Sequence, residues 1–326
     1  MPTQTALPLV IVSHELPPDW LAPLHGRCRL VIGPSTAEFS GLAPRLRPYL
    51  PEAAGLFSLL TVQVDESLLD AAPNLRIVSN MAVGVDNVDL AACRRRGIPV
   101  GHTPGVLTDS TADLTLALLL SLARHLPQAA ADARAGKWTT WLPEGWLGLE
   151  LNDVTLGIVG MGQIGQAVAH RARAFGMRLL YTGPARKPEV EIELAAQHVP
   201  LPQLLQQSDV VSLHAPLTPE TRNLINMNAL EHMKSSAILI NMARGPLVDS
   251  AALFVALQNG TIAAAGLDVT DPEPLTPTHP LYTLPNCLIV PHIGSATHRA
   301  RRRMAELACK NLLAGLAGQP LPHQAN

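Results

Sequence analysis

Three ionisable side chains each follow an apolar run. Arg244 follows "AILINMA", Glu273 follows "AAAGLDVTDP", and His292 follows "CLIVP". A histidine can hand a proton to a carbonyl oxygen. A carboxylate can fix that histidine's tautomer, and a planar guanidinium matches the two oxygens of a substrate carboxylate. If the runs are strands of a parallel α/β sheet, all three residues sit at carboxyl ends, where such sheets bind ligands. Any one of them alone reads equally well as a satisfied strand-end or surface residue; three in succession point to a site.

A second pattern lies upstream. Gly160, Gly162 and Gly165 in "VTLGIVGMGQIGQAVAHRARAFGMRLLYTG" come straight after an apolar run, open a helix-like segment and precede another run. In that context GxGxxG binds a dinucleotide. The first glycine allows the tight turn and the second the approach of a pyrophosphate. The third lets helix and strand pack closely, with helix amides facing the anion. The end of the next run selects the cofactor. An NAD site generally places Asp or Glu there; this chain has Tyr181, Thr182 and Gly183, then Pro184, Ala185, Arg186 and Lys187. A carboxylate would repel a 2′-phosphate, whereas arginine grips one. The expected cofactor is therefore NADP(H), with NAD(H) possible; the alternative for Arg186 and Lys187 is a solvated basic loop.

The elements that must hold these residues recur along the chain. Apolar runs at 7–12, 28–33, 55–60, 75–80 and 98–102 form one group. A second group lies at 154–160, 177–183, 208–214, 237–243, 263–269 and 287–292. They are continuous rather than alternating, as in parallel strands covered on both faces by helices. Between the groups, "STADLTLALLLSLARHL" predicts a buried helix over 110–126 that starts at Ser110, with Asp113 completing a capping-box-like pair. Residues 135–153 hold three of the four tryptophans and read as an irregular excursion. The last block is helical to about Gly315.

Bulk properties agree with a two-domain α/β chain. At 326 residues it exceeds the size at which single cores stop growing, about 250–300 residues. Its aromatic fraction of 3 % leaves a core of Ala, Leu, Val and Ile. A net charge of −2 gives no reason to expect nucleic acid or an anionic membrane as partner. Cys28, Cys93, Cys287 and Cys309 show no metal-binding spacing, and no metal is expected. The N-terminal "LPLVIV" is too short for a signal peptide or a span, so a cytoplasmic setting is expected.

The motifs "GIVGMGQIG", "INMARGPLVD", "AAGLDVTDPEPL" and "PHIGSATHRAR" closely resemble the D-isomer-specific 2-hydroxyacid dehydrogenases, nearest to the glyoxylate/hydroxypyruvate reductases. "SNMAVGVDNVDL", "VGHTPGVLTDSTADL" and "KWTTW" extend the likeness over nearly the whole chain. The resemblance implies that His292 is the general acid, that Glu273 holds its ring, and that Arg244 clamps the substrate carboxylate. It implies substrate contacts from the amides of Val83 and Gly84, from Ser295, and from Trp141 reaching across a dimer. Ser295 reads equally well as a helix cap. On the cofactor side it implies Thr108, Gly160, Gly162, Gln163, Ile164, Gly165, Thr182, Gly183, Arg186 and Lys187. His214, Ala215, Pro216, Met242, Ala243, Asp268 and Gly294 complete that set, with Asp268 orienting the nicotinamide carboxamide. Thr108 is alternatively an N-cap, and His214 alternatively structural.

The implied fold is two Rossmann-like doubly wound domains with a cleft between them. A discontinuous, flavodoxin-like substrate domain (1–104 and 295–326) would carry an inserted NAD(P)-binding domain (105–294). The helix near 110–126 would pack in the core of a C2 homodimer. The implied activity is NADPH-dependent reduction of glyoxylate and hydroxypyruvate. Alternatives are a phosphonate or other 2-oxo-acid dehydrogenase and a non-catalytic, nucleotide-sensing corepressor-like protein.

Overall fold

In the computed structural model, which describes residues 6–36 and 41–326, the apolar runs become parallel strands of two sheets. The chain divides into two compact units, Met1–Leu107 with Thr297–Asn326, and Thr108–Ala296. The breaks fall after Leu107 and Ala296, against an expected 104 and 294, so Ser295 lies in the second unit.

The first unit contains β1 (Leu9–Val12), β2 (Arg29–Ile32), β3 (Ala53–Ser58), β4 (Ile77–Asn80) and β5 (Val100–Gly101), in the order β2-β1-β3-β4-β5. This is the flavodoxin-like doubly wound order. The returning C-terminal helix, His298–Leu316, covers β3 and β4 through Met304, Ala308 and Leu312. It approaches so closely that a Cβ on Gly315 would stand 2.7 Å from the Ile77 side chain. Ser79, buried in β4, donates its hydroxyl to the carbonyl of Ala308 at 2.8 Å.

The second unit contains β6 (Thr155–Val159), β7 (Arg178–Thr182), β8 (Ala196–His198), β9 (Val210–Leu213), β10 (Ile238–Asn241), β11 (Ala264–Leu267) and β12 (Cys287–Ile289). Their order is β12-β11-β10-β9-β6-β7-β8. The chain winds outward from β6 to β8, then returns to the other side of β6 and winds to β12. The reversal between β6 and β9 is the switch point where doubly wound sheets bind ligands. The register sets Thr182, Val159, Leu213, Asn241, Leu267 and Ile289 level across six strands. The residues just beyond that row therefore emerge along one edge of one sheet.

Three expectations change. Strand β8 is short and polar, "AQH", and carries no apolar run to mark it. β12 is half-buried rather than buried, because as the sheet's edge it pairs only with β11. The helix expected from Ser110 begins at Thr108 and ends at Ala123, with Ser110 inside it. Asp113 is not part of a cap; it pairs with Arg171 Nε at 2.6 Å, and Asp109 pairs with Nη2 of the same guanidinium at 3.1 Å. That ion-paired stripe lies beside the helix Gln163–Ala174, and the opposite faces pack on β10 and β11.

Candidate active site

The cofactor half is built by glycine. Gly160 has φ 97°, and a Cβ there would fall 2.6 Å from the Ala215 nitrogen and 2.7 Å from the His214 carbonyl carbon. Only glycine lets β6 turn past the end of β9. A Cβ on Gly165 would stand 2.3 Å from the Gly160 carbonyl oxygen, so the helix Gln163–Ala174 can seat directly after the turn. Gly162 is that helix's N-cap, and a Cβ on it would meet nothing within 4 Å. The first-turn amides of Gln163, Ile164 and Gly165 have no acceptor within the helix. Open space before such amides suits a dinucleotide pyrophosphate. His214 Nε2 is 2.8 Å from the Ser212 hydroxyl, and its buried Nδ1 has no hydrogen-bond partner. Burial pulls its pKa down to about 4, so the ring is neutral near pH 7.

Beyond β7, Thr182 and Gly183 are half-buried and the Arg186 side chain is exposed. The strand end carries no carboxylate, but Glu191 reaches the loop from the following helix, Pro188–Leu194. Its Oε2 is 2.5 Å from Arg186 Nη2, and its Oε1 accepts from Arg186 Nε at 3.1 Å. The buried Tyr181 donates its hydroxyl to the same Oε1 at 2.8 Å and accepts the amide of Lys187 at 2.7 Å. Arg186 and then Tyr181 hold the Glu191 carboxyl down to about 2.

The candidate catalytic residues lie at the ends of β10, β11 and β12. His292 Nδ1 is 2.5 Å from Glu273 Oε1. A carboxylate only accepts, so Nδ1 carries the hydrogen and Nε2 is the nitrogen left to act on a ligand. His292 adopts φ 51°, a left-handed conformation that a histidine holds only when its surroundings impose it. The cause is visible. Its amide donates to the carbonyl of Asp268 at 2.9 Å, and the next two amides, Ile293 and Gly294, donate to the Asp268 carboxylate at 2.6 and 2.9 Å. Burial pushes the Asp268 carboxyl up, and the two amides oppose that shift. Gly294 is required by the contact, since a Cβ would sit 2.9 Å from Asp268 Oδ2 and 3.4 Å from the Met242 methyl.

Arg244 is positioned from β10 in the same manner. Asn241, buried at the strand end, accepts from the Ala243 amide at 3.1 Å and donates to the Arg244 carbonyl at 2.8 Å. The Arg244 Nη1 donates to the Ala243 carbonyl at 2.8 Å. The adjacent Gly245 presses against Thr270 so closely that a Cβ would overlap its carbonyl. The Arg244 turn thus packs on the loop that carries Glu273.

In the first unit, Val83 and Gly84 form a half-buried turn after β4. His102 Nδ1 holds the Val83 carbonyl at 3.0 Å, and Asn80 Nδ2 holds that of Gly84 at 3.1 Å. Asn80 is fixed in turn by Ser58 and Asn87, all three buried. With both carbonyls tied back, the turn has a fixed set of amide directions.

The remaining candidates are placed as follows. Thr108 is the first residue of its helix. Ser295 is not the cap of the C-terminal helix; Thr297 is, accepting from the Ala300 amide at 3.1 Å. Ala215 and Pro216 follow β9 beside the glycine turn. Trp141 is 79 % exposed and Trp138 76 % exposed, in a segment without helix or strand. Among the described residues no group of three or more His, Cys, Asp and Glu could hold a metal. Sequence reading passed over Asn80, Asn241 and Glu191. The first two carry a usable signal, an asparagine closing an otherwise apolar run. Glu191 carries none, because its contact depends on where the next helix starts.

Comparison with known proteins places the chain in a family. Residues 116–294 match the family described as D-isomer specific 2-hydroxyacid dehydrogenase, NAD binding domain. A human protein named glyoxylate reductase/hydroxypyruvate reductase is 50 % identical over 274 residues, covering 83 % of this chain and 84 % of that one. A glyoxylate reductase from Korarchaeum cryptofilum is 45 % identical over 320 residues, 98 % of this chain and 96 % of its own. Among solved structures, a protein from Thermus thermophilus superposes with a TM-score of 0.90 at 50 % identity, covering 98 % of this chain and all of that chain. An NADPH-dependent glyoxylate/hydroxypyruvate reductase from Sinorhizobium meliloti, in complex with NADP and malonate, gives 0.84 at 34 % identity, covering 98 % and 96 %. The chain belongs to the D-isomer-specific 2-hydroxyacid dehydrogenases.

Proposed function

We propose that this enzyme reduces glyoxylate to glycolate and hydroxypyruvate to D-glycerate, preferring NADPH, with His292 as the general acid. The observation that carries the reading is the His292–Glu273 pair, which joins the end of β12 to the loop after β11 against which the Arg244 turn packs. The names of the similar reductases supply the substrate class.

The glycine turn and the helix after it would hold the pyrophosphate, and Arg186 with Lys187 the 2′-phosphate. When bound, the reduced nicotinamide supplies a hydride to the carbonyl carbon. The chain's own residues do the rest. Arg244 pairs with the substrate carboxylate through its planar fork and polarises the adjacent carbonyl. In the first unit, the turn at Val83 and Gly84 offers its amides to a substrate carboxylate. Protonated His292 donates its Nε2 proton to the carbonyl oxygen, completing the alcohol, while Glu273 keeps the ring turned. Asp268 fixes the backbone on which that ring stands.

The homodimer belongs to the same reading. Trp138, Trp141, Leu142, Trp146 and Leu147 are exposed along one short segment, an apolar surface that a second copy would cover. The four cysteines are unpaired, which suits a cytoplasmic setting; among the described residues no helix is long and apolar enough to cross a membrane.

The test is a panel of 2-oxo acids with NADPH and NADH on the purified chain, with sedimentation for its assembly. Glyoxylate and hydroxypyruvate should give the highest kcat/KM, and NADPH should exceed NADH. A higher kcat/KM for pyruvate or a phosphonate, or for NADH, would overturn the corresponding part. A monomer in sedimentation would remove the dimer.

A further inference from the structure

The loop after β7 holds a carboxylate that the cofactor assignment does not use. Glu191 engages Arg186 side-on, Oε1 to Nε and Oε2 to Nη2, at 3.1 and 2.5 Å. The two partners are unequally fixed. The Glu191 side chain is 15 % exposed and tied to the buried Tyr181 hydroxyl, which also anchors the Lys187 amide. The Arg186 side chain is 68 % exposed. Water can replace the partner of the exposed guanidinium, so Arg186 can leave; the carboxylate stays where Tyr181 holds it.

Resting on the NADP(H) reading above, we propose that Glu191 is a specificity-determining residue which competes with a nucleotide 2′-phosphate for Arg186. Its effect is to hold the preference for NADPH over NADH below what Arg186 and Lys187 would give alone. Charge is the cause. Arg186 and Lys187 supply two positive charges and Glu191 one negative, so a phosphate carrying about −1.5 to −2 meets half the net charge its two cations would present. It must also draw Arg186 away from a carboxylate that remains ionised throughout the physiological range. A cofactor that ends in a ribose hydroxyl meets neither obstacle.

The experiment is calorimetric titration of the full chain, wild type and Glu191→Gln, with NADPH, NADH, adenosine 2′,5′-bisphosphate and AMP. Glutamine keeps the shape and can still accept from Tyr181 while losing the charge. NADPH and the bisphosphate should bind about 2–5-fold more tightly to the variant, with NADH and AMP unchanged. Glu191→Ala is the second variant, with the same gain expected, and added salt should narrow the difference in both. In an Arg186→Ala background the gain should shrink. If Arg186→Ala leaves NADPH binding unchanged, the NADP(H) reading of this loop fails. If Arg186→Ala weakens NADPH but neither Glu191 variant tightens it, the competition is wrong.

Discussion

Glu273 Oε1 and His292 Nδ1 meet at 2.5 Å across nineteen residues of chain, from loops that leave the neighbouring strands β11 and β12. The contact fixes which ring nitrogen carries the hydrogen and which is left for chemistry. His292→Gln should therefore lower kcat about 10²–10⁴-fold, the usual loss for a positioned general acid. Glu273→Ala should lower kcat less and KM little, because the acid remains but its ring is no longer held; Glu273→Asp should recover part of the loss. Steady-state kinetics with saturating NADPH gives both. A His292→Gln enzyme with near-normal kcat between about pH 5 and 9 would end the assignment.

The strand-end trio was legible in sequence because continuous apolar runs locate strands, and parallel strands bring their carboxyl ends to one edge. Gly160, Gly162 and Gly165 were legible for a similar reason, since few residues tolerate the turn they make. What lay hidden depends on pairings at long range. That Asp268 holds two amides of the His292 loop is set by the register of β11 against β12. That Ser295 does not cap the last helix, while Thr297 does, depends on where that helix begins. The Arg186–Glu191 pair depends on a helix whose start, at Pro188, no periodicity announces.

Arg244→Lys tests the clamp. Lysine keeps the charge but presents a point donor instead of a fork, so one of two parallel hydrogen bonds to the substrate carboxylate is lost. kcat/KM for glyoxylate should fall about 10–100-fold, roughly 1.4–2.8 kcal/mol, with the dissociation constant for NADPH unchanged. An equal weakening of cofactor binding would place Arg244 elsewhere in the chemistry.

Asp268→Asn should cost both stability and rate. An asparagine keeps one oxygen for the Ile293 or Gly294 amide and turns an NH2 toward the other, donor against donor. A buried N–H without an acceptor costs about 1–3 kcal/mol. Urea unfolding should show a lower midpoint with unchanged slope, and kcat should fall because the His292 backbone loses its anchor. Full stability together with full activity would mean that the loop holds itself.

Asn80→Ala separates the first unit's contribution. It removes the donor to the Gly84 carbonyl and the partner of Asn87, loosening the Val83–Gly84 turn without touching the cofactor residues. KM for the 2-oxo acid should rise several-fold while NADPH affinity by fluorescence titration stays constant. An unchanged KM would show that those amides do not bind the carboxylate.

His214 gives a prediction for stability against pH. Its folded pKa is pulled by burial from 6.5 to about 4. Between those values the unfolded chain binds a proton at this ring that the folded chain does not, so stability falls as pH drops from about 6.5 towards 4 and loses nothing further from this group below that. Replacing the imidazole by an amide in His214→Gln removes the titration. The difference in Tm between wild type and variant, measured by calorimetry without cofactor, should therefore shrink steadily, or change sign, on going from about pH 7 to pH 4. A difference that stays constant across that range would show that the ring is protonated in the folded chain as readily as in the unfolded one.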